Sequence, residues 1–211
     1  MYSAYVPVHL VDHPIAQHAL LRLRDASTCP SRFRRLAQRL SLFIAIEATR
    51  DLPTSPRTVM TPLEPATGPS LDGDVVVVPV LRAGLVMAEV VLELLPDARM
   101  GHVGLQRDEA TAVASQYYLK LPAISPAATV LVVDPMLATG GSARKAIDLV
   151  HAAGGRNVRL LSIVAAPEGI AAVRQVHPDM PIFTAAVDRE LNAQKFILPG
   201  LGDFGDRLYG T

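Results

Sequence analysis

The sequence predicts an α/β fold in which a parallel sheet is covered on both faces by helices. Three observations carry this prediction. Short aliphatic runs such as 75–78 and 129–133 alternate with longer windows of helical spacing, a pattern typical of strand–helix–strand units. The runs are apolar throughout, as expected of strands that are buried on both faces. Finally, Pro96 follows one helical window, and Gly154 and Gly155 follow another, where a helix would end.

The individual elements follow from these patterns in chain order. Two helices are predicted first, because apolar residues recur every three or four positions in 15–25 and in 30–49. Later strands are predicted where aliphatic residues run together, and later helices where the helical spacing resumes. The predicted strands are 75–78, 101–105, 129–133, 158–166 and 182–187, and the later predicted helices are 85–95, 143–153 and 169–176.

The stretch 52–69 interrupts this alternation with five prolines. Proline lacks the backbone N–H that helices and central strands need, so this stretch is predicted to be an extended arm or a loop. At 211 residues the chain suits one α/β domain, and the part before the arm is too small to fold alone. We therefore expect a single domain that spans 1–211.

Charge and cysteine content argue against several classes of protein. Lys and Arg total 20, as do Asp and Glu, so the formal net charge is zero, unlike that of proteins that bind nucleic acid through a broad positive field. The arginines at 32, 34, 35 and 39 are interpreted as a solvated helix face rather than an anion site. The single Cys29 cannot form an intrachain disulfide, and the apolar runs are too short to span a bilayer. We expect a cytoplasmic protein without nucleic-acid or membrane partners.

The loop after the predicted strand 129–133 has the features of an anion site. Its last residues, Thr-Gly-Gly-Ser at 139–142, stand at the start of the next helix. Glycines let backbone N–H groups approach a phosphate closely, and a helix N-terminus favours negative charge. Asp134 follows the strand directly and could accept hydrogen bonds from sugar hydroxyls. A helix merely capped by Ser142 is the alternative, and the spacing matches neither a nucleotide-triphosphatase loop nor a dinucleotide-binding motif.

A second segment is expected at the same edge, because ligands collect at the carboxyl ends of strands in open parallel sheets. Arg82 follows the strand 75–78, and Gly84 leaves room beside it. A permanently charged, planar donor suits an oxygen-rich anion such as pyrophosphate. An ordinary surface arginine in a turn is the alternative.

The third segment is 197–207, which contains Gly200, Gly202 and Gly205. So many glycines disfavour a regular helix or strand, and they expose backbone N–H and C=O groups that could bind a planar heterocycle. A flexible tail is the alternative, although apolar residues between the glycines favour an anchored segment.

Together these segments resemble the uracil phosphoribosyltransferases of the type I phosphoribosyltransferase family. Pro135 stands where the wider family has a second acid, as it does in uracil-specific members. The resemblance implies an α/β, type I phosphoribosyltransferase-like parallel sheet flanked by helices, with a small hood formed by N- and C-terminal segments and a base-binding part at 188–211. The resembling stretches are 12–14, 47–53, 78–85, 132–142, 164–170, 198–203 and 205–207.

The resemblance also implies an activity, in which uracil and 5-phosphoribosyl 1-diphosphate (PRPP) give UMP and pyrophosphate. It implies Mg²⁺ held mainly through PRPP, with no dedicated metal ligand in the chain. Catalysis is assigned to Asp134, Arg107 and Arg82, with Arg107 on a loop that closes over the pyrophosphate. The implied PRPP-binding residues are Arg82, Arg107, Asp134, Pro135, Met136, Leu137, Ala138, Thr139, Gly140, Gly141, Ser142 and Asp203. The implied uracil-binding residues are Ile197, Gly202, Asp203 and Phe204.

The resemblance also has implications for partners, and the sequence differs from the usual family pattern at a few positions. The arm 52–69 resembles the dimer-forming extension of the family, which implies a homodimer or a higher homo-oligomer, and GTP activates some members. The closing loop 106–111 reads Gln-Arg-Asp-Glu-Ala-Thr, without the aromatic residue and one acid that are usual in the family. Phe204 stands where alanine is common. Two alternatives therefore stay open: a paralogue with altered base preference, and a non-catalytic regulator that senses PRPP or UMP.

Overall fold

The computed structural model of the chain describes residues 8–107 and 114–211. The five predicted strands and five predicted helices are all present, with ends that move by at most three residues. The strands are β1 (Val8–Leu10), β2 (Thr54–Met60), β3 (Pro65–Leu71), β4 (Val75–Leu81), β5 (Arg99–Met100), β6 (His102–Arg107), β7 (Ala114–Lys120), β8 (Thr129–Val133), β9 (Met136–Leu137), β10 (Asn157–Ala165), β11 (Ile182–Val187), β12 (Glu190–Leu191) and β13 (Ile197–Leu198). The helices are α1 (Pro14–Arg24), α2 (Pro30–Ala48), α3 (Leu85–Leu94), α4 (Gly141–Ala152), α5 (Pro167–Val176) and α6 (Phe204–Tyr209).

The main sheet has the strand order β1-β11-β10-β8-β4-β6-β7. Neighbouring strands from β1 to β6 in this order run parallel. Because parallel strands end at the same edge, the loops that follow Leu81 in β4, Val133 in β8 and Ala165 in β10 lie side by side. The predicted parallel sheet is therefore confirmed, and it brings the strand-end segments to one edge.

Two separate cores cover the two faces of the sheet. Val77 of β4 packs in one core with apolar residues of α1, α2, α3 and α6. Val76 and Val78, which point the opposite way, pack in the other core with residues of α4 and α5. Alternate side chains of a strand face opposite sides, so burial of both faces requires the unbroken aliphatic run seen at this strand.

The edge strand β7 was not predicted, and it makes the sheet mixed rather than wholly parallel. It pairs antiparallel with β6, with a register shift at Gly104 and Leu105. Its side chains from Ser115 to Lys120 are exposed. An edge strand without a buried face has no alternation of apolar and polar residues, which is why the sequence pattern did not reveal it.

The proline-rich stretch forms a two-stranded antiparallel hairpin of β2 and β3 rather than a loop. Pairing runs from Thr54 opposite Leu71 to Met60 opposite Pro65, so the arm predicted at 52–69 begins and ends two residues later, at 54–71. Prolines are tolerated here because each strand of a two-stranded ribbon has one outer edge that needs no N–H donor.

Within the described part of the chain, none of the helices has the length and apolar character needed to cross a membrane.

Candidate active site

The first cavity lies at the carboxyl edge of the sheet and has a volume of about 230 Å³. It joins the three segments singled out in the sequence, because Arg82, Asp134 and Asp203 all border it. From the loop after β8 it is lined by Met136, Leu137, Ala138, Thr139, Gly140 and Ser142. Pro135 and Gly141 of this loop do not line the cavity.

The loop between β8 and α4 is held by its own backbone. The carbonyl oxygen of Pro135 accepts hydrogen bonds from the N–H groups of Ile163 (3.0 Å) and Val164 (3.1 Å). Met136 and Leu137 form β9, which extends the sheet by pairing with β10. A short strand inside this loop was not expected. It fixes the path of the chain between Asp134 and the helix.

Gly140, rather than Ser142, is the residue that precedes α4. Its φ of 79° is left-handed, and a Cβ there would lie 2.8 Å from the carbonyl oxygen of Gly169, so only glycine suits this position. Ser142 lies within the first turn of α4, and the alternative in which it caps the helix is wrong. The first N–H groups of a helix have no partner inside it. Those of α4 therefore border the first cavity as donors for an anion.

Arg82 lies in the turn after β4, where it is exposed and borders the first cavity. The hydroxyl of Tyr209, at the end of α6, donates a 3.2 Å hydrogen bond to the carbonyl oxygen of Arg82. The guanidinium carbon lies 5.6 Å from the centre of the Tyr209 ring. Burial raises the pKa of Tyr209 above its ordinary value. Arg82 is therefore an exposed turn residue that contacts Tyr209 and borders the first cavity, and its role in binding an anion stays a prediction.

A second cavity of about 350 Å³ adjoins the first. It is lined by the four residues proposed to bind a base, Ile197, Gly202, Asp203 and Phe204. Met136, Ala138, Asp203 and Phe204 border both cavities. The second cavity also includes residues 194–196, which the sequence did not single out. No apolar period or motif marks this turn, and Lys195 adopts a left-handed φ of 67° in it.

Phe204 contributes to the core more than to the second cavity. Its side chain is only 3% exposed, and its ring packs edge-on against Phe33 of α2 with centroids 5.1 Å apart. The packing of α6 on α2 brings an N-terminal and a C-terminal segment together beside the cavities. The C-terminal segment is thus anchored, and the flexible-tail alternative is wrong.

Two polar residues fix the ends of the turn before α6. Asp203 caps the helix, and its Oδ1 accepts a hydrogen bond from the N–H of Asp206 (2.9 Å). Arg207 donates to the carbonyl oxygens of Leu201 (2.9 Å) and Asp25 (2.6 Å), and its guanidinium stacks over Phe33. Arg207 was not predicted as a site residue, because its role depends on contacts with α1 and α2 that are distant in sequence.

The predicted closing loop is only partly described by the structure. The backbone of Arg107 ends β6, and Leu105 of the same strand lines the first cavity. The side chain of Arg107 and residues 108–113 lie outside the described residues. The role assigned to Arg107 stays a prediction.

The chain is similar to known proteins along nearly its whole length. A family model described as uracil phosphoribosyltransferase matches residues 10–211. The uracil phosphoribosyltransferase of Dictyoglomus turgidum is 52% identical over 205 residues, covering 97% of this chain and 99% of that protein. The enzyme of the same name from Halalkalibacterium halodurans is 46% identical, with 97% and 98% covered.

Solved structures share the fold. The AQ2163 protein of Aquifex aeolicus has a TM-score of 0.92 at 32% identity, covering 97% of this chain and 99% of its own. The APRTase of Giardia lamblia has a TM-score of 0.51 at 17% identity, covering 74% and 80%. The latter shows the type I phosphoribosyltransferase fold alone. On the family match and the identities over nearly its full length, this chain belongs to the uracil phosphoribosyltransferase family.

Proposed function

We propose that this protein is a uracil phosphoribosyltransferase that converts uracil and PRPP into UMP and pyrophosphate. The observation that carries the proposal is the junction of two cavities. One is bordered by the N-terminus of α4, which suits a phosphate, and the other is lined by Ile197, Gly202, Asp203 and Phe204. A ribose that spans the shared border would join a phosphate in the first cavity to a base in the second.

In this proposal, the loop from Ala138 to Ser142 binds the 5′-phosphate through backbone N–H groups. Pro135, Met136 and Leu137 hold that loop in place. Asp134 accepts hydrogen bonds from the ribose hydroxyls, and Arg82 binds the pyrophosphate. Arg107 closes over the pyrophosphate and stabilises its departing charge.

The base site is assigned to Ile197, Gly202, Asp203 and Phe204. Backbone groups of this segment would hydrogen-bond the edge of uracil. Since the ring of Phe204 is buried against Phe33, we assign its contribution to the cavity chiefly to its backbone. The replacement of alanine by Phe204 thus gives no support to an altered base preference.

The reaction breaks the bond between C1′ of PRPP and the pyrophosphate oxygen, forms the bond from C1′ to N1 of uracil, and releases the N1 proton. Positive charge develops on the ribose ring as the pyrophosphate departs. Catalysis then depends on correct positioning of the two substrates and on electrostatic stabilisation of the separating charges. Asp134 beneath the ribose and Arg82 beside the leaving group have the charges that this requires.

We assign Mg²⁺ as the cofactor, entering with PRPP. The carboxylates of Asp134 and Asp203 border the first cavity and are the hard oxygen donors that Mg²⁺ prefers. When bound, Mg²⁺ would neutralise charge on the diphosphate.

Two further assignments concern partners. We propose a homodimer or a higher homo-oligomer formed through the β2–β3 hairpin, because Val59, Met60 and Leu63 on it are 51%, 74% and 95% exposed. GTP activation is an expectation of the resemblance, and assays with and without GTP test it.

We also propose a cytoplasmic location, because the free thiol of Cys29 suits the reducing cytoplasm.

A base-specificity assay tests the function. UMP formation and pyrophosphate release would be measured with PRPP, Mg²⁺ and either uracil, cytosine, thymine or hypoxanthine. We expect uracil to be preferred in kcat/KM by about tenfold or more, because a site that hydrogen-bonds one base leaves polar groups unpaired with another. Preference for another pyrimidine would favour the paralogue alternative. Binding of PRPP or UMP without turnover of any base would favour the sensing regulator.

The variant Asp134→Ala separates chemistry from folding. We expect kcat/KM to fall roughly hundredfold or more, since a charge aimed at the transition state is lost. Thermal unfolding and circular dichroism should change little, because Asp134 is only half-buried. Retention of activity in this variant would contradict the role assigned to Asp134.

A further inference from the structure

An ion pair outside both cavities holds the turn that leads into the second one. Arg24, the last residue of α1, donates two hydrogen bonds to Asp188, from Nη1 to Oδ2 (2.8 Å) and from Nη2 to Oδ1 (2.6 Å). The Asp188 side chain is only 4% exposed. Paired, charge-assisted bonds of this kind are strong and fix the orientation of both groups. Neither residue borders the first or the second cavity.

The same pair binds both polar backbone groups of Gly200. The N–H of Gly200 donates to Oδ2 of Asp188 (2.9 Å), and Nη1 of Arg24 donates to the carbonyl oxygen of Gly200 (2.9 Å). Glu190 of β12 is paired with Leu198 of β13, so Asp188 and Gly200 face each other two residues beyond that pair. The Asp188 carboxylate therefore accepts the hydrogen bond of the Gly200 N–H just beyond the last backbone pair of β12 and β13.

The turn at Gly200 is tight, and Gly200 itself has no side chain to pack, although its neighbours Ile197 and Leu201 are buried in the core. Gly200 has a left-handed φ of 58°, and a Cβ there would lie 2.0 Å from the carbonyl oxygen of Ile197. Gly202 follows with a φ of 72°. Ile197 and Gly202, which line the second cavity, flank this turn on its two sides. Any rotation of the Gly200 peptide would move the backbone of Ile197 and Gly202 at the second cavity.

We propose that Arg24 and Asp188 are positioning residues for base recognition. They act through Gly200, and they hold the backbone from Ile197 to Gly202 in the shape that reads the base. This inference rests on the proposed function, because it takes the second cavity as the uracil site. It predicts that disruption of the pair weakens use of uracil selectively and leaves use of PRPP nearly unchanged.

The test compares Asp188→Asn with a matched change elsewhere. Arg159 and Asp51 form another Arg–Asp pair, in which the buried Arg159 also donates to a carbonyl oxygen, that of Ala48. This pair lies near the amino end of β10, and neither residue lines the first or the second cavity. We expect Asp188→Asn to raise the KM for uracil about tenfold, because a small displacement of binding groups weakens recognition. The KM for PRPP should change less than about twofold, and Asp51→Asn should alter neither KM.

Three outcomes decide the inference. If Asp188→Asn lowers thermal stability but leaves the KM for uracil at the wild-type value, the pair is merely structural and the inference is wrong. If both KM values rise together, the effect is not specific to the base, and the inference is wrong as well. If Asp188→Asn does not fold, Arg24→Lys is tested instead. Lysine keeps a positive charge beside Asp188 but cannot form the paired hydrogen bonds of a guanidinium. Arg24→Lys should show a selective rise in the KM for uracil that is smaller than the rise expected of Asp188→Asn. An unchanged KM for uracil in Arg24→Lys would overturn the inference.

Amide hydrogen exchange separates this inference from the proposed function. Exchange of the segment 197–204 is measured without substrates, so it can be read even if uracil is not turned over by the wild type. We expect faster exchange at the Gly200 amide in Asp188→Asn and unchanged exchange in Asp51→Asn. Failure of the wild type with uracil would count against the proposed function alone. Equal exchange in the wild type and Asp188→Asn would count against the positioning role.

Discussion

Gly84 lies where the turn bearing Arg82 packs closely against neighbouring backbone. A Cβ there would lie 2.5 Å from the carbonyl oxygen of Val133 and 2.7 Å from that of Val80. Both contacts are to backbone, which cannot move aside as the end of a flexible side chain can. This glycine therefore allows the turn after β4 to pack against the end of β8, next to Asp134.

The variant Gly84→Ala tests this packing. We expect the free energy of unfolding to fall by about 1–3 kcal/mol, as is typical when a methyl group is forced into a filled space. The KM for PRPP should also rise, because Arg82 and Asp134 lie on the two segments that would separate. Chemical denaturation and steady-state kinetics measure these effects. The control is Gly68→Ala in the hairpin, where a Cβ would meet nothing within 4 Å; an equal loss there would refute the explanation.

Among the elements, the β2–β3 hairpin stands apart because it buries few of its own side chains. Its exposed apolar residues need a covering surface, and a second copy of the chain is the occupant proposed above. We expect the double variant Met60→Glu and Leu63→Glu to shift the protein toward the monomer, since charges on both partners would be desolvated in the interface. Sedimentation equilibrium of variant and wild type measures the change.

The control for the hairpin is Leu21→Glu on α1. Leu21 is 68% exposed and lies outside the hairpin, so the same kind of change there should leave the association state as it is. Monomeric behaviour of the wild type at micromolar concentration would contradict the proposed oligomer. Dissociation by Leu21→Glu but not by the hairpin variant would move the interface to α1.

In the molecule as a whole, several carboxylates should link stability to pH. Hydrogen bonds from Arg159 hold the pKa of Asp51 below its usual value. The hydrogen bond from the N–H of Leu191 does the same for the pKa of Glu168. A carboxyl whose pKa is lower in the folded state stabilises the fold while it is ionised. That contribution is present above the unfolded pKa, near 4, and is lost as the pH falls through the lowered folded value.

We therefore expect the midpoint of thermal unfolding to fall with decreasing pH below about pH 4. Asp51→Asn removes one titrating group, so its unfolding midpoint should depend less on pH in this range than that of the wild type. Calorimetry at a series of pH values measures both slopes. An identical slope in the two proteins would indicate that the ion pair of Asp51 and Arg159 does not contribute.

Much of the architecture was predictable from local pattern. Buried strands such as β4 and β8 carry continuous aliphatic runs, and the helices between them carry spaced ones. By contrast, the side chains of β7 from Ser115 to Lys120 are exposed, and the short strands β12 and β13 have too few residues to show a period. The proline-rich arm was predicted to be an extended arm or a loop, but its pairing into a hairpin was not predicted. Prolines exclude helices and central strands, and they do not indicate which structure forms instead.

For the candidate site, the sequence by itself determined which segments carry chemistry. Asp134, Arg82 and Gly140 follow strands or begin a helix, and such local positions can be recognised from their neighbours in the chain. Only the tertiary structure decided how α6 packs on α2 through Phe33 and Phe204, and how Arg24 reaches Asp188 and Gly200. These contacts join residues more than 160 positions apart. They depend on how helices pack on the sheet, which no local periodicity records.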